Sequence, residues 1–251
     1  MKKNIYLWLL FFAGGCQNTI VSPDNFHYRE INTSTFKIAC WQKISNANAP
    51  YKIYIEGDGY SFRGDGSVSS NPTPRSTMLR ELAFGDYHDN VIYLARPCQY
   101  TKDKLCTPNF WSDDRFSPTV IQAEYEAIKK IAGQHSLTLV GFSGGAQIAG
   151  LIAVKYNDLN VRQLVTIAGN LDVNAWTDYH NLPSLNLPLN LVDYREQYLN
   201  FNQIHYVGTK DDNIAAEITE NFLGDKTKIK YIKNATHNKG WQNVYNEIQK
   251  Q

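Results

Sequence analysis

The sequence predicts an α/β fold, a doubly wound and mostly parallel sheet with helices on both faces, and three observations predict it. Short β-type runs alternate with segments that carry helix start signals along most of the 251 residues. Several of those runs, such as Leu137-Thr138-Leu139-Val140, are continuous rather than alternating, as expected of strands buried on both faces of a parallel sheet. The order strand, helix, strand recurs without internal repeat or low-complexity tract, which is the order of an open sheet covered on both sides.

Taken in order, residues 36–41 and 52–56 read as the first strands, with Cys40 a small buried hydrophobe in the first of them. Thr73-Pro74 opens a helix carrying Met78, Leu79 and Leu82, and residues 91–95 form the next strand. Ser117-Pro118 opens a helix with Ile121, Tyr125, Ile128 and Ile131 on one face, and Gly133 stops it. The strand at 137–140 runs into Gly141-Phe142-Ser143-Gly144-Gly145 and then into a helix rich in Ala and Ile. Strands at 164–168, 204–207 and 229–232 complete the series. Asp212 is placed to cap a helix carrying Ile214, Ile218 and Phe222 that ends near Gly224, and Trp241, Val244, Tyr245 and Ile248 make a last amphipathic stripe.

The N-terminus reads as an export signal. Lys2 and Lys3 precede an apolar run over residues 5–12, and Ala13, Gly14 and Gly15 lead to Cys16. The run is too short to span a membrane. A cysteine directly behind small residues resembles the lipobox of bacterial lipoproteins, which implies a lipid on Cys16 and a protein anchored to a membrane; ordinary secretion of a cleaved soluble product is the alternative. Gln17 beside the cysteine implies, by the same resemblance, the outer membrane with the domain facing the periplasm if the cell is Gram-negative. The organisation is then a signal peptide over 1–15, a tether over 16–30 and one domain over 31–251. The formal net charge is +1 and no run of Lys or Arg stands out, so nothing invites a nucleic-acid reading. Cys98 and Cys106 lie close together and read as a disulfide that staples a loop in an oxidising compartment, against the alternative of two unrelated thiols. No cysteine or histidine spacing matches a metal site, and no cofactor is implied.

Ser143 lies in a Gly-x-Ser-x-Gly pattern between a strand and a helix, the context in which such a serine is exposed on a tight turn at the edge of a sheet. A nucleophilic serine needs a base and an orienting acid. After the strand at 204–207 comes Gly208-Thr209-Lys210-Asp211-Asp212, and after the strand at 229–232 comes Asn234-Ala235-Thr236-His237. Both loops emerge at the carboxyl edge of the sheet, where Ser143 falls. Asp211 is favoured over Asp212 because Asp212 is the better helix cap, and Asp172, after the preceding strand, is the alternative acid. His27, His88, His135 and His205 read as structural, and His180 as a pocket residue at most.

These residues together make the chain resemble a bacterial α/β-hydrolase-fold lipoprotein. The resemblance runs through Ile55-Glu56-Gly57-Asp58-Gly59, Arg96-Pro97-Cys98-Gln99-Tyr100, the segment 111–118, the Ser143 turn, the segment 169–176 and the loops of Asp211 and His237. It implies the α/β-hydrolase fold with a small cap, a Ser143, Asp211 and His237 triad, and hydrolysis of an ester or related acyl bond in a small acyl substrate. It also implies an oxyanion hole made by the backbone N–H groups of Gly144 and Asp58, the second in a loop where many relatives carry His-Gly. A carboxylate in that loop would oppose a developing negative charge unless it turns away. Trp176, Tyr179, Tyr198, Phe110, Trp111 and Phe116 are candidate pocket walls with packing as the alternative reading, and the short stretch between 168 and 204 favours a short-chain or soluble substrate. A non-catalytic envelope protein that uses the same fold for binding or scaffolding is the reading of a different class.

Overall fold

The structure is a computed structural model and describes residues 20–186 and 188–251. The stretch read as an export signal, with Cys16 and Gln17, lies outside the described residues. Eight strands form one open sheet in the order β1-β2-β4-β3-β5-β6-β7-β8. These are β1 (His27–Asn32), β2 (Lys37–Ile44), β3 (Tyr51–Ile55), β4 (Asn90–Leu94), β5 (Leu137–Phe142), β6 (Val161–Ile167), β7 (Gln203–Gly208) and β8 (Ile229–Ile232). β1 and β2 run antiparallel to their neighbours, and every pair from β4 to β8 is parallel.

The alternation along a strand decides which layer each side chain joins. In β3, Ile53 and Ile55 enter the core beneath α2 (Pro118–Ala132) and α3 (Gly144–Lys155), while Tyr54 enters the core on the opposite face. That second core is covered by α1 (Met78–Phe84) and by the C-terminal residues Trp241, Val244 and Ile248. α2 starts as its sequence predicts: Pro118 stands at the first helical position and the Ser117 hydroxyl accepts the Val120 N–H. α3 is buried along nearly its whole length, consistent with its run of Ala, Ile and Gly. Among the described residues no helix is long and apolar enough to cross a membrane.

Five expectations are corrected. β1 begins at His27, so the sheet starts before the boundary expected at 31, inside the stretch read as a tether. Only Ile31 of β1 is buried, and a polar edge strand carries no apolar alternation to reveal it. The helix after β7 is α6 (Ala216–Leu223), which starts beyond Asp212 and takes Ala215 as its N-cap. α1 starts at Met78 with Thr77 as its N-cap, four residues beyond the Thr73-Pro74 opening, and between β6 and β7, where the sequence shows no periodic segment, the chain forms α4 (Val173–Tyr179), a 3-10 turn at Leu191–Tyr194 and α5 (Arg195–Leu199). The last stripe is a 3-10 turn (Gln242–Val244) followed by a single helical turn, α7 (Tyr245–Ile248).

Candidate active site

Ser143 sits between β5 and α3 with φ 52° and ψ −124°, a left-handed conformation that a side-chain-bearing residue adopts only where its surroundings impose it. The surroundings are tight. A Cβ on Gly145 would lie 2.3 Å from the Ile55 carbonyl oxygen, so α3 can approach β3 only with glycine there. The Ser143 N–H donates to the Ile167 carbonyl, and its own carbonyl accepts from Ala146 and Asn170. The turn is thereby tied to the end of β6 as well as to its own helix.

The loops after β7 and β8 are fastened to each other beside it. Thr209 N–H donates to Ile232 O and Lys210 N–H to Ala235 O, while Trp241 Nε1–H is shared by the carbonyls of Thr236 and His237. His237 Nε2 lies 3.0 Å from Ser143 Oγ, and His237 Nδ1 lies 2.9 Å from Asp211 Oδ2. A carboxylate only accepts, so Nδ1 carries the ring proton and Nε2 is left to accept from the serine hydroxyl. The other oxygen of Asp211 accepts the backbone N–H groups of Asn213 at 3.0 Å and Ile214 at 2.9 Å, so the carboxylate is held from both sides. That is a different reason for Asp211 from the one the sequence suggested: Asp212 caps no helix among the described residues, and Asp211 organises the turn itself. Asp172 is occupied elsewhere, capping α4 through the N–H groups of Asn174 and Ala175 and accepting from Asn190.

A cleft of about 330 Å³ opens over Ser143 and His237, walled by Tyr60, Phe62, Arg75, Trp176 and Ile214. A second hollow of about 400 Å³ lies between α2 and α3, with no nucleophile and base paired in its lining. Of the aromatic residues expected near the site, Trp176 lines the cleft, with its Nε1–H bonded to the Asn213 carbonyl. Trp111, Phe116 and Tyr198 are core residues, and Tyr179 is largely exposed. His180 Nε2 pairs with the Asn213 carbonyl at 2.7 Å, behind the acid loop and away from the serine. His205 is buried inside β7, pairs with Thr166 and Gln203, and is pushed by burial down to about 3. His88, half-buried, pairs with the buried Asp86, which also faces Lys52, in a separate cluster. Among the described residues no three His, Cys, Asp or Glu side chains gather as a metal site.

No protein-family model matches the chain, and no curated protein matches it in sequence. Solved structures do match. An α/β serine hydrolase without a lid from Xanthomonas campestris is 11% identical with a TM-score of 0.53, over 92% of this chain and 94% of that one. An esterase from Pyrococcus furiosus is 14% identical with a TM-score of 0.58, over 90% and 88%. A lipase-esterase related protein from Clostridium acetobutylicum is 15% identical with a TM-score of 0.57, over 90% and 99%. The chain has the α/β-hydrolase fold.

The loop after β3 lies closely against the Ser143 turn: a Cβ on Gly57 would lie 3.0 Å from the Ser143 Cβ. The loop is pinned at several points. Gly57 N–H donates to Glu56 Oε1, the Gly57 carbonyl accepts from Gln99 Nε2, and the Asp58 carbonyl accepts from Ser61 Oγ. The Asp58 N–H makes no hydrogen bond among the described residues. Gly144 is the first residue of α3, so its N–H has no intrahelical acceptor and points from the positive end of the helix. The Asp58 carboxylate turns to two buried arginines, at 3.2 Å from Arg96 Nη1 and 3.1 Å from Arg115 Nε. Arg96 also faces Glu124 of α2 at 3.6 Å, whose carboxyl burial pushes up to about 8 against the pull of Arg96.

Arg96, Arg115, Glu124 and Asn170 are site neighbours that sequence reasoning did not single out. Buried charged residues contradict the hydropathy pattern, and the partners that make their burial tolerable come from distant segments. The disulfide Cys98–Cys106, with its Cα atoms 5.5 Å apart, closes the loop directly behind Arg96.

Proposed function

We propose that the protein is a serine hydrolase that cleaves an ester or related acyl bond, with Ser143 as nucleophile, His237 as general base and acid, and Asp211 as the orienting carboxylate. The observation that carries the reading is the chain of two contacts, 3.0 Å from Ser143 Oγ to His237 Nε2 and 2.9 Å from His237 Nδ1 to Asp211 Oδ2, at the floor of a cleft. His237 takes the hydroxyl proton as Ser143 attacks the scissile carbonyl, and Asp211 stabilises the imidazolium that forms. The tetrahedral oxyanion is held by the N–H groups of Gly144 and Asp58. His237 then returns the proton to the leaving group, and a water repeats the sequence to release the acyl group from Ser143.

A carboxylester of a short or soluble acyl chain is the substrate class favoured by the size of the cleft, about 330 Å³. The matched esterase and the lipase-esterase related protein agree with that class at the level of the fold. A fluorophosphonate probe should label the wild type at Ser143 and leave Ser143→Ala unlabelled, with p-nitrophenyl acetate and butyrate turned over by the wild type alone. Absence of both labelling and turnover would favour the binding or scaffolding protein instead. For the cell, we propose export and anchoring through a lipid on Cys16, which Cys16→Ser should abolish by releasing the protein from the membrane fraction.

A further inference from the structure

The loop that carries the Asp58 N–H is joined to a cluster of charge that the triad chemistry does not use. Arg96 and Arg115 are 4% and 2% exposed; Arg96 Nη1 donates to Asp58 Oδ1, and Arg115 Nε lies 3.1 Å from Oδ2 as an ion pair. Each is fixed from another side: an Arg96 terminal nitrogen donates to the Arg115 carbonyl, and Arg115 Nη1 donates to the Ser112 carbonyl at 2.7 Å. The Phe116 ring lies 5.4 Å from both guanidinium carbons. Four separate segments meet here, the turn after β3, the turn after β4, the 112–116 loop and α2 through Glu124. Burying such a group is expensive in desolvation, and a hydrophobic cluster would hold the fold at least as well.

The position of the bridge indicates its use. A Cβ on Gly144 would lie 2.1 Å from Asp58 Oδ1, so the carboxylate is seated against the first residue of α3, beside the N–H that would receive an oxyanion. Unpaired, that negative charge would oppose the one that develops on the substrate. Bridged by two guanidinium groups, it becomes a handle by which the loop is held, and the local charge beside the hole is reversed in sign.

We propose that Arg96 and Arg115 are positioning residues for the oxyanion hole, acting through the Asp58 carboxylate to hold its backbone N–H against Gly144 and to cancel its charge. This rests on the serine hydrolase reading. Arg115 reaches the wall of the cleft and Arg96 does not, and both are assigned to act through Asp58.

The experiment is a cycle on the purified mature protein with Arg115→Met, Asp58→Asn and the double variant, read by kcat and KM on p-nitrophenyl butyrate. Affinity for an aryl trifluoromethyl ketone, which adds to the serine to form a tetrahedral oxyanion, is the second readout. Arg115→Met leaves one guanidinium against the carboxylate, so one tether is lost together with the surplus positive charge beside the hole. Its kcat should fall on the order of a hundredfold with KM within about twofold, and ketone affinity should fall by the same factor. Removing the offending charge as well should restore much of the loss, so the double variant should exceed Arg115→Met by about tenfold. If Arg115→Met does not fold, Arg115→Lys serves in its place: it keeps the charge but cannot hold Asp58 and Ser112 together, and its kcat should fall about tenfold with ketone affinity in step. A substitution that keeps kcat, that raises KM alone, or whose loss Asp58→Asn deepens would overturn the inference. Wild type that neither labels with fluorophosphonate nor turns over ester would instead overturn the hydrolase reading beneath it.

Discussion

Replacing Glu124 with Gln should flatten one component of the stability–pH profile, and its sign follows from the structure. Glu124 is fully buried in α2, and neither carboxyl oxygen has a hydrogen-bond partner among the described residues. Burial therefore raises its carboxyl from 4.5 to about 8, with Arg96 opposing only in part. Between those values the folded chain keeps a proton that the unfolded chain has lost, so stability falls as pH rises through that window and levels off above it. One bound proton is worth about 1.4 kcal/mol per pH unit, or on the order of 4 kcal/mol between about pH 5 and 8. Gln has nearly the same shape and nothing to titrate. Urea unfolding of both proteins at pH 5, 6, 7 and 8 should give similar stabilities at the acid end, with Glu124→Gln gaining steadily on the wild type toward pH 8. All other titrating groups cancel in the difference. A difference that stays flat with pH, or that grows toward acid, would refute the reasoning, because it would mean that Glu124 is ionised in the folded protein from the start.

Further outcomes follow from single contacts. Asp211→Asn offers an N–H where His237 Nδ1 must donate, so kcat on p-nitrophenyl butyrate should fall by on the order of a thousandfold or more with little change in KM; a fall of less than about tenfold would exclude Asp211 as the orienting acid. Asp172→Ala should destabilise the protein by about 1 kcal/mol through the lost cap of α4 and leave kcat/KM nearly unchanged, which unfolding and kinetics on the same preparation would check. The disulfide closes a separation of 8 residues, for which the loop-closure model gives about 2.5 kcal/mol; paired Cys98→Ser and Cys106→Ser should lower the unfolding free energy by that order, and an unchanged urea midpoint would count against a stabilising role.

Much of the frame was readable because an open parallel sheet leaves few choices. Strands buried on both faces declare themselves by continuous apolar runs, as several here do, and seven of the eight strands were placed; β1 escaped because its sequence is polar at all but Ile31 and one other position. The same logic put Ser143, Asp211 and His237 at one edge, since each follows the carboxyl end of a strand. It did not separate Asp211 from Asp212 for the right reason, because a backbone turn closed by Asp211 Oδ1 and a helix starting at Ala216 are both decided after the chain has folded. The pairing of Cys98 with Cys106, eight residues apart, was within reach of spacing alone.

What the sequence determined by itself is therefore the order of elements, the edge of the sheet where the site lies and the residue types delivered there, because these depend on local periodicity and on the one-dimensional order of strands. Only the tertiary structure decided what surrounds them. An Asp in the loop facing Ser143 reads, on its own, as a charge opposed to catalysis. Two arginines, one 38 residues away in sequence at Arg96 and the other further along at Arg115, meet its carboxylate in the folded chain. Such compensation is invisible in one dimension, because a buried charge is tolerated only by partners that folding brings from elsewhere in the chain.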